Sequence, residues 1–453
     1  MQGMINRRGF LKTAAAGAAV ASLPAGTALA SSPRATTTVE FWNPSGDALG
    51  GPLIKKLVAQ FNNGIGKREG IYIDSRFVST ANNSIKYTTG MTSSNSPDLI
   101  MTYGYNTVLQ WAANGFLQPM DAYLQQLGLK ESDFYPVAWD MIHVNGRIWG
   151  LLQEFDADLL FWNTDIHKGP PPRSIDELDH LAAKYTKFDS SGRLVQAGIV
   201  PWAQGGFLGG GYGDWGPIWG ASFYDEEKGK WTINTPQNRR FLEWYLKYVK
   251  MFGGRAKADA LISATPKTYG YADIFNYGKT AFSMEGEWFP LELTATTSKK
   301  LHWAVSSTLL SAPGVSTRKM SMIAGANLFL LPARAKNVNA AITFAKHMVS
   351  VDSLVTWALP IGQFLPLKKA ETDPRILKAQ PWMKYFNEAL DKQAFVTQPL
   401  SPQFPVFDQA MGQAVDEVTY MKKTPSQALD GVAQKVATAV SQFKATHPNW
   451  SRE

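Results

Sequence analysis

The sequence contains no cysteine among its 453 residues. Disulfide bonds, thiolate metal ligands, cysteine nucleophiles and a lipid-modified cysteine anchor are therefore all excluded. Histidine is also scarce: there are six, and none forms the H-x-x-x-H or H-E-x-x-H pattern on which a metal site is commonly built. We therefore expect neither a metal ion nor another cofactor.

Long hydrophobic runs and a basic nucleic-acid footprint are missing as well. No later stretch of about twenty apolar residues follows the N-terminal region, so no membrane span is predicted. The net charge is +8, but Arg7, Arg8 and Lys12 account for part of it, and no stripe of alternating basic and aromatic residues occurs. We therefore expect no nucleic-acid partner. Tryptophan, in contrast, is abundant at 15 residues, which suggests that some tryptophans serve a binding surface.

The first thirty residues have the composition of an export signal. Basic residues at 6–12 (NRRGFLK) precede an Ala-rich apolar stretch at 13–23, and Ala28 and Ala30 form an A-x-A cleavage pattern. The paired arginines followed by Phe-Leu-Lys resemble a twin-arginine signal, which exports folded proteins. We expect residues 1–30 to be a removed Tat-type signal peptide, and the mature protein to be soluble and periplasmic, without a lipid anchor.

Strand-like and helix-like segments alternate after the signal. Residues 36–42 (TTTVEFW) and 71–78 (IYIDSRFV) have strand patterns, and 53–61 between them has apolar residues at helical spacing. This alternation predicts an α/β fold with a parallel, doubly wound sheet. The extended run 148–162 (IWGLLQEFDADLLFW) is interrupted by four polar residues, which is typical of a crossover lining a cleft. A helix is also predicted at 272–277.

Seven segments, in chain order, resemble the maltose-binding type of extracellular solute-binding protein of ABC importers. They are 96–101 (SPDLIM), 115–121 (GFLQPMD), 145–151 (NGRIWGL), 158–165 (DLLFWNTD), 278–288 (GKTAFSMEGEW), 362–367 (GQFLPL) and 424–429 (TPSQAL). Two mild departures occur. Leu152 stands where the family usually has Pro, and Trp162-Asn163 replaces Tyr-Asn.

The resemblance implies a periplasmic-binding-protein type II fold, in which two Rossmann-like lobes are joined by three crossover segments. It implies an N-terminal lobe at residues 36–150 plus 326–358 and a C-terminal lobe at 151–325 plus 359–453. It also implies a binding protein, not an enzyme. We expect a monomer that binds a mono- or oligosaccharide between its lobes and delivers it to the permease subunits in the membrane.

A sugar receptor needs flat aromatic rings for the C–H faces of the ligand, and carboxylates or amides for its hydroxyls. Residues of this chemistry follow predicted strands, where open α/β sheets bind ligands, or lie in the segments that resemble the family. The candidate ligand-binding residues are Trp42, Asn43, Asp47, Tyr103, Tyr105, Asp156, Asp158, Trp202, Gln204, Trp215, Trp219, Glu285, Trp288, Asn327 and Gln363.

Two other functions remain open at this point. An exported glycoside hydrolase would use two carboxyl groups from Asp156, Asp158, Glu285 and Glu287. A binding protein for a phosphorylated polyol, such as glycerol 3-phosphate or a glycerophosphodiester, would instead need convergent Arg or Lys side chains. Arg147 and Arg255 are the candidates for that role.

Two nucleotide-binding patterns lack their context. Residues 211–216 (GYGDWG) match G-x-G-x-x-G, but Pro217 follows directly and no βαβ unit surrounds them. Residues 278–280 (GKT) end like a phosphate-binding loop, but Asp273 stands where the first glycine is required. We predict no nucleotide binding.

Overall fold

The described part of the chain alternates strands and helices. In the computed structural model it comprises residues 36–453, apart from positions 48, 80–82, 106, 204–207, 269–270, 273, 296–300 and 324. The predicted signal at residues 1–30 lies outside it. No helix in this part of the chain is long and apolar enough to span a membrane.

Among the described residues, eight strands form two main sheets. They are β1 (Thr37–Asn43), β2 (Ile71–Phe77), β3 (Leu99–Tyr103), β4 (Leu151–Asp156), β5 (Asp158–Asn163), β6 (Phe282–Gly286), β7 (Trp303–Ser306) and β8 (Gly325–Leu330). The first sheet has the order β2-β1-β3-β8-β4, and the second has the order β6-β5-β7. The short strands outside these sheets are His143–Val144, Arg147–Ile148, Lys187–Phe188, Leu194–Gln196, Tyr224–Asp225, Lys230–Trp231, Lys267–Thr268, Tyr271–Ala272, Met322–Ile323 and Val396–Thr397.

Helices cover both sheets. The longer ones are α1 (Gly50–Phe61), α2 (Asn83–Thr92), α3 (Ile175–Tyr185), α4 (Pro236–Phe252), α5 (Arg255–Ser263), α6 (Val338–Met348), α7 (Val351–Ile361), α8 (Met383–Asp391), α9 (Phe404–Thr419) and α10 (Pro425–Thr446). Shorter helices are Lys67–Glu69, Val108–Ala113, Leu124–Leu127, Pro136–Ile142, Tyr212–Trp215, Phe289–Ala295, Lys368–Glu371 and Pro374–Ala379. The remaining helical turns are Asn62–Gly66, Asp121–Tyr123, Glu131–Asp133 and Gly209–Gly211.

The first sheet is parallel over β1, β2 and β3, as the sequence predicts. Alternating residues Val39 and Phe41 of β1 are fully buried, and α1 places Leu57 and Phe61 against them in the same core. β8 runs antiparallel to both β3 and β4. The predicted parallel sheet is therefore mixed, because β8 enters it after the chain has returned from the second sheet.

The chain passes between the two sheets at three places. It leaves β4 and enters β5 at Ala157, it returns between β7 and β8, and after α7 it packs on the second sheet again, where Phe386 of α8 lies against Phe161 of β5. The predicted α/β class with three crossovers is thus confirmed, whereas the residue boundaries of the lobes stay a prediction. The helix predicted at 272–277 is wrong: Tyr271–Ala272 is a strand, and a turn follows in which Gly278 N–H donates to Phe275 O at 2.8 Å.

Candidate functional site

A cavity of about 460 Å³ lies at the edge of the first sheet where β1, β3 and β4 end and β8 begins. This is the edge at which open α/β sheets bind their ligands, because strand ends and loops converge there. The lining residues are Asp47, Leu49, Gly50, Tyr103, Gly104, Glu154, Asp156, Leu208, Gly325, Ala326, Asn327, Trp357, Ile361 and Gln363. A larger groove of about 660 Å³ beside α5 presents Arg193, Lys257, Lys279 and small or aliphatic side chains, and none of its described lining residues is aromatic or acidic.

Glu154 forms the floor of this cavity and is almost completely buried. Its two carboxyl oxygens accept hydrogen bonds from the Asn327 side-chain amide and from the Trp357 indole N–H. The strand register shifts here, since Glu154 pairs with Asn327 while Leu152 pairs with Leu328. Gln153 is therefore the extra residue of a β-bulge, a distortion that re-aims neighbouring side chains.

Asp156 lies two residues further along β4, so it shares the face of Glu154. Gln363 Nε2 donates to Asp156 Oδ1 at 3.2 Å. The pKa of Asp156 is raised to about 7, mainly by burial and also by the charge of Asp158, whereas hydrogen bonds from Glu287 and Gln363 oppose this shift. The carboxyl group of Asp156 therefore changes its charge near neutral pH.

Burial also holds the pKa of Glu154 well above its ordinary value, and the nearby charge of Asp156 adds to this effect. Glu287, fully buried behind Asp156, has a raised pKa for the same two reasons. Its oxygens accept hydrogen bonds from the backbone N–H groups of Ala157 at 3.3 Å and Phe364 at 3.2 Å. Glu287 thus connects the first crossover, at Ala157, to the third, at Phe364.

A second set of buried carboxyl groups begins at Asp158, on β5. Burial raises the pKa of Asp158, and a hydrogen bond from Asp214 partly opposes this shift. The pKa of Asp214 is raised well above normal by burial and by the charge of Asp158. Glu285 on β6 is buried nearby and accepts a hydrogen bond from the hydroxyl of Ser283. None of these residues lines the 460 Å³ cavity.

The mouth of the cavity is formed by Tyr103 and Asp47. Tyr103 is 38% exposed, and its hydroxyl lies 2.8 Å from the hydroxyl of Ser45. Asp47 Oδ1 accepts hydrogen bonds from the backbone N–H groups of Leu49 at 2.8 Å and Gly50 at 2.6 Å, at the start of α1. The phenol ring of Tyr103 and the carboxylate of Asp47 therefore lie together at the entrance.

The structure brings five of the predicted site residues together in this cavity: Asp47, Tyr103, Asp156, Asn327 and Gln363. Of the other lining residues, the two with a charged or aromatic side chain, Glu154 and Trp357, are absent from the predicted set. Glu154 stands two residues before Asp156 in the interrupted strand, so the period of a strand could have indicated it. Contact of each of these residues with a ligand stays a prediction.

Two predicted residues of β1 lie inside the first lobe. Asn43 Nδ2 donates to Ser75 Oγ at 3.0 Å and to Arg76 O at 3.2 Å, which joins β1 to β2. The indole of Trp42 donates to Glu40 at 2.7 Å and packs edge-on against Tyr87. Both side chains support the sheet and lie outside the cavity.

The predicted tryptophans near the Gly-rich loop form a core cluster. Trp215 and Trp219 pack on Trp244, with ring centroids 4.8 Å and 6.0 Å away. Trp202 is buried and lies under the guanidinium of Arg255, at 5.0 Å. None of these three tryptophans lines the 460 Å³ cavity, so the cavity does not support their predicted contact with a ligand.

The other predicted residues also lie elsewhere. Tyr105 is buried, and its hydroxyl has no hydrogen-bond partner among the described residues. The ring of Trp288 lies against Gly286, and its backbone lies beside Gly362. Gln204 falls outside the described residues. Among those that are described, no cluster of three or more His, Cys, Asp or Glu could hold a metal ion.

Comparison with solved structures shows the same fold in sugar-bound proteins. CpMnBP1 with mannotriose bound is 24% identical with a TM-score of 0.74, covering 88% of this chain and 100% of that one. A cyclo/maltodextrin-binding protein complexed with maltotetraose is 19% identical with a TM-score of 0.69, covering 89% and 97%. The GacH receptor of Streptomyces glaucescens is 17% identical with a TM-score of 0.66, covering 92% and 99%. The fold is therefore that of type II periplasmic binding proteins.

Comparison at the sequence level identifies the family. No curated protein matches the chain. Residues 4–24 match the signal sequence of the twin-arginine translocation pathway, so the predicted export is confirmed. Residues 56–384, well over half of the chain, match the family described as bacterial extracellular solute-binding protein. The chain belongs to that family.

Proposed function

We propose that this protein is the periplasmic substrate-binding component of an ABC importer, and that it binds a mono- or oligosaccharide in the 460 Å³ cavity. The observation that carries this proposal is the convergence of Glu154, Asp156, Asn327 and Gln363 at the floor of one cavity, with Tyr103 at its mouth. The sugars bound to the structurally similar proteins support the same class of ligand.

The cavity matches the chemistry of a saccharide. Its carboxyl groups and amides accept and donate the hydrogen bonds that ring hydroxyls require. Leu49, Leu208 and Ile361 supply apolar surface for the C–H faces, and Tyr103 supplies an aromatic ring. Several such contacts together reach the roughly −8 kcal/mol of a micromolar complex, after ordering costs.

Binding is coupled to closure of the lobes in this proposal. Glu154 and Asp156 belong to the first sheet, whereas Leu208 belongs to the segment between β5 and β6 of the second. A ligand that contacts both sets of residues favours the closed conformation. The permease subunits in the membrane would recognise this closed state, and the protein would act as a monomer.

We propose further that the protein has no glycosidase activity. A glycosidase places two carboxyl groups on either side of the scissile bond. Of the four carboxyl groups considered, only Asp156 lines the cavity, and its neighbour Glu154 projects from the same face of the same strand. Purified protein should therefore leave aryl glycosides unhydrolysed, and steady turnover that co-purifies with the protein would contradict this.

An anionic solute finds no cationic partner here. None of the described lining residues is Lys, Arg or His. Arg147 is exposed at the start of the short strand Arg147–Ile148, and Arg255 is paired with Asp259 at 2.8 Å and Asp416 at 3.3 Å. A phosphorylated polyol is therefore the weaker candidate.

A thermal-shift screen tests the proposal. At 100 times the dissociation constant, a bound ligand stabilises the folded protein by about 2.7 kcal/mol, which raises the melting temperature. We expect at least one mono- or oligosaccharide to raise it, and glycerophosphodiesters to have no effect. The opposite pattern, with a shift for phosphodiesters alone, would replace the sugar by an anionic solute.

A further inference from the structure

The charges of the 460 Å³ cavity are all of one sign. Its described lining contains Asp47, Glu154 and Asp156, and no Lys, Arg or His. None of the ion pairs formed by the described residues includes Glu154 or Asp156. The two buried acids of the floor thus have no cationic partner among the residues that the structure describes.

The protein groups that hold these two acids are neutral. Asn327 and Trp357 donate to Glu154, and Gln363 donates to Asp156. These donors orient the carboxyl groups but do not compensate a negative charge. Two adjacent buried carboxylates without a cation cost far more free energy than two amides of similar shape. The hydroxyls of a neutral sugar would bind to these acids but would not compensate their charge, whereas a cation would do both.

We infer that the solute carries a positive charge, and that a protonated amine of an amino sugar lies against Glu154 and Asp156. This inference rests on the proposed function, since it assigns a ligand class to the same cavity. The ammonium group would supply the missing cation, and its N–H groups would donate charge-assisted hydrogen bonds to the two carboxylates. The amides of Asn327 and Gln363 would hold the neighbouring hydroxyls.

Matched pairs of amino and neutral sugars isolate the contribution of the amine to the binding affinity. We would titrate glucosamine against glucose, mannosamine against mannose and galactosamine against galactose by calorimetry at pH 7. Chitosan tetramer against cellotetraose gives the same comparison in an oligosaccharide, because both are β-1,4-linked and differ at the 2-position. A hydrogen bond to a charged group exceeds a neutral one by enough to make an amino member at least about tenfold tighter than its parent.

The outcomes separate this inference from the proposed function. If neutral sugars bind and the amino member of every pair binds equally or more weakly, the inference that the solute is positively charged is wrong, while the sugar-binding function stands. If no sugar of either kind binds, and the wider saccharide screen also shows no thermal shift, the proposed function itself fails and the inference with it.

Variants test the assigned residues. Glu154→Gln and Asp156→Asn should each reduce the preference for the amino member by about tenfold, because each removes one of the two charges. Glu243→Gln is the matched control, since Glu243 is exposed on α4, outside the cavity. Circular dichroism and the melting temperature establish that each variant is folded. An unchanged preference in both folded cavity variants would overturn the inference.

Discussion

At the scale of single residues, the site is defined by carboxyl groups that the protein surrounds with neutral donors. Glu154, Asp156 and Glu287 are buried, and each is hydrogen-bonded to an amide, an indole, a backbone N–H group or another carboxyl group. Burial penalises the charged form of an acid, so these groups retain their protons to higher pH than a surface carboxyl group does. The cavity consequently changes its charge within the physiological range of pH.

This arrangement predicts a pH-dependent stability for the ligand-free protein. The pKa of Asp156 is about 7 in the folded state, against about 3.9 in an unfolded chain. The folded state therefore binds more protons between about pH 4 and pH 7, and stability falls as pH rises through this window. Asp156→Asn removes this contribution. The free energy of unfolding of this variant, minus that of the wild type, should therefore increase by on the order of 2 kcal/mol from pH 5 to pH 8.

Urea denaturation at the two pH values measures this difference. Asp391→Asn, an exposed aspartate at the end of α8, is the matched control and should show a much smaller change. Equal pH dependence in the wild type and in Asp156→Asn would mean that Asp156 is not the group that titrates.

At the scale of elements, strand ends and helix caps follow from the sequence, but strand register does not. Thr424 caps α10 as the segment TPSQAL indicates, and Val432 and Val436 are buried on one stripe of that helix. The β-bulge at Gln153 depends on pairing with β8, which is distant in the sequence. Local patterns contain no information on that pairing, so the bulge could not be predicted, whereas Glu154 itself could have been predicted from its spacing of two residues from Asp156.

Gly325, at the start of β8, lies directly against the Asp156 carboxyl group, and a methyl group there would overlap Oδ2. Gly325→Ala should therefore displace this carboxyl group and weaken binding of the sugar found in the screen by about tenfold or more. Gly64→Ala is the control, since nothing lies within 4 Å of its added methyl group. Calorimetry should find unchanged affinity for the control; equal affinities in the two variants would show that Asp156 does not contact the ligand.

The N-terminal cap of α10 should contribute to the stability of the protein but not to its affinity for sugar. Thr424 Oγ1 accepts a hydrogen bond from Gln427 N–H at 3.3 Å, and Gln427 Oε1 accepts one from Thr424 N–H at 3.0 Å. Thr424→Ala should lower the free energy of unfolding by about 1 kcal/mol. Sugar affinity, measured on the same sample, should remain that of the wild type, because α10 contributes no lining residue to the cavity.

At the scale of the whole molecule, the class of fold and the family were predictable, whereas the division of the aromatic residues between core and ligand was not. The ordered motifs indicate the fold without any knowledge of packing. Trp215 and Trp219 are of the residue type that a sugar site needs, yet they pack on Trp244 in the core. A tryptophan serves both purposes through the same large apolar surface, so its type and spacing do not distinguish them.

Closure of the lobes predicts a change in size. A ligand that bridges the two lobes shifts the population toward the closed state. The radius of gyration from small-angle X-ray scattering should fall when the sugar identified in the screen is added at saturation. The double variant carrying Glu154→Gln and Asp156→Asn, at the same sugar concentration, should show a smaller decrease. A radius unaffected by saturating sugar in the wild type would argue against closure.

The most direct test of the account is a crystal structure of the protein with the best sugar of the screen bound. The account predicts electron density for a saccharide ring in the 460 Å³ cavity, within hydrogen-bond distance of Glu154, Asp156 and Asn327. A sugar bound elsewhere, with this cavity empty, would contradict the assigned site.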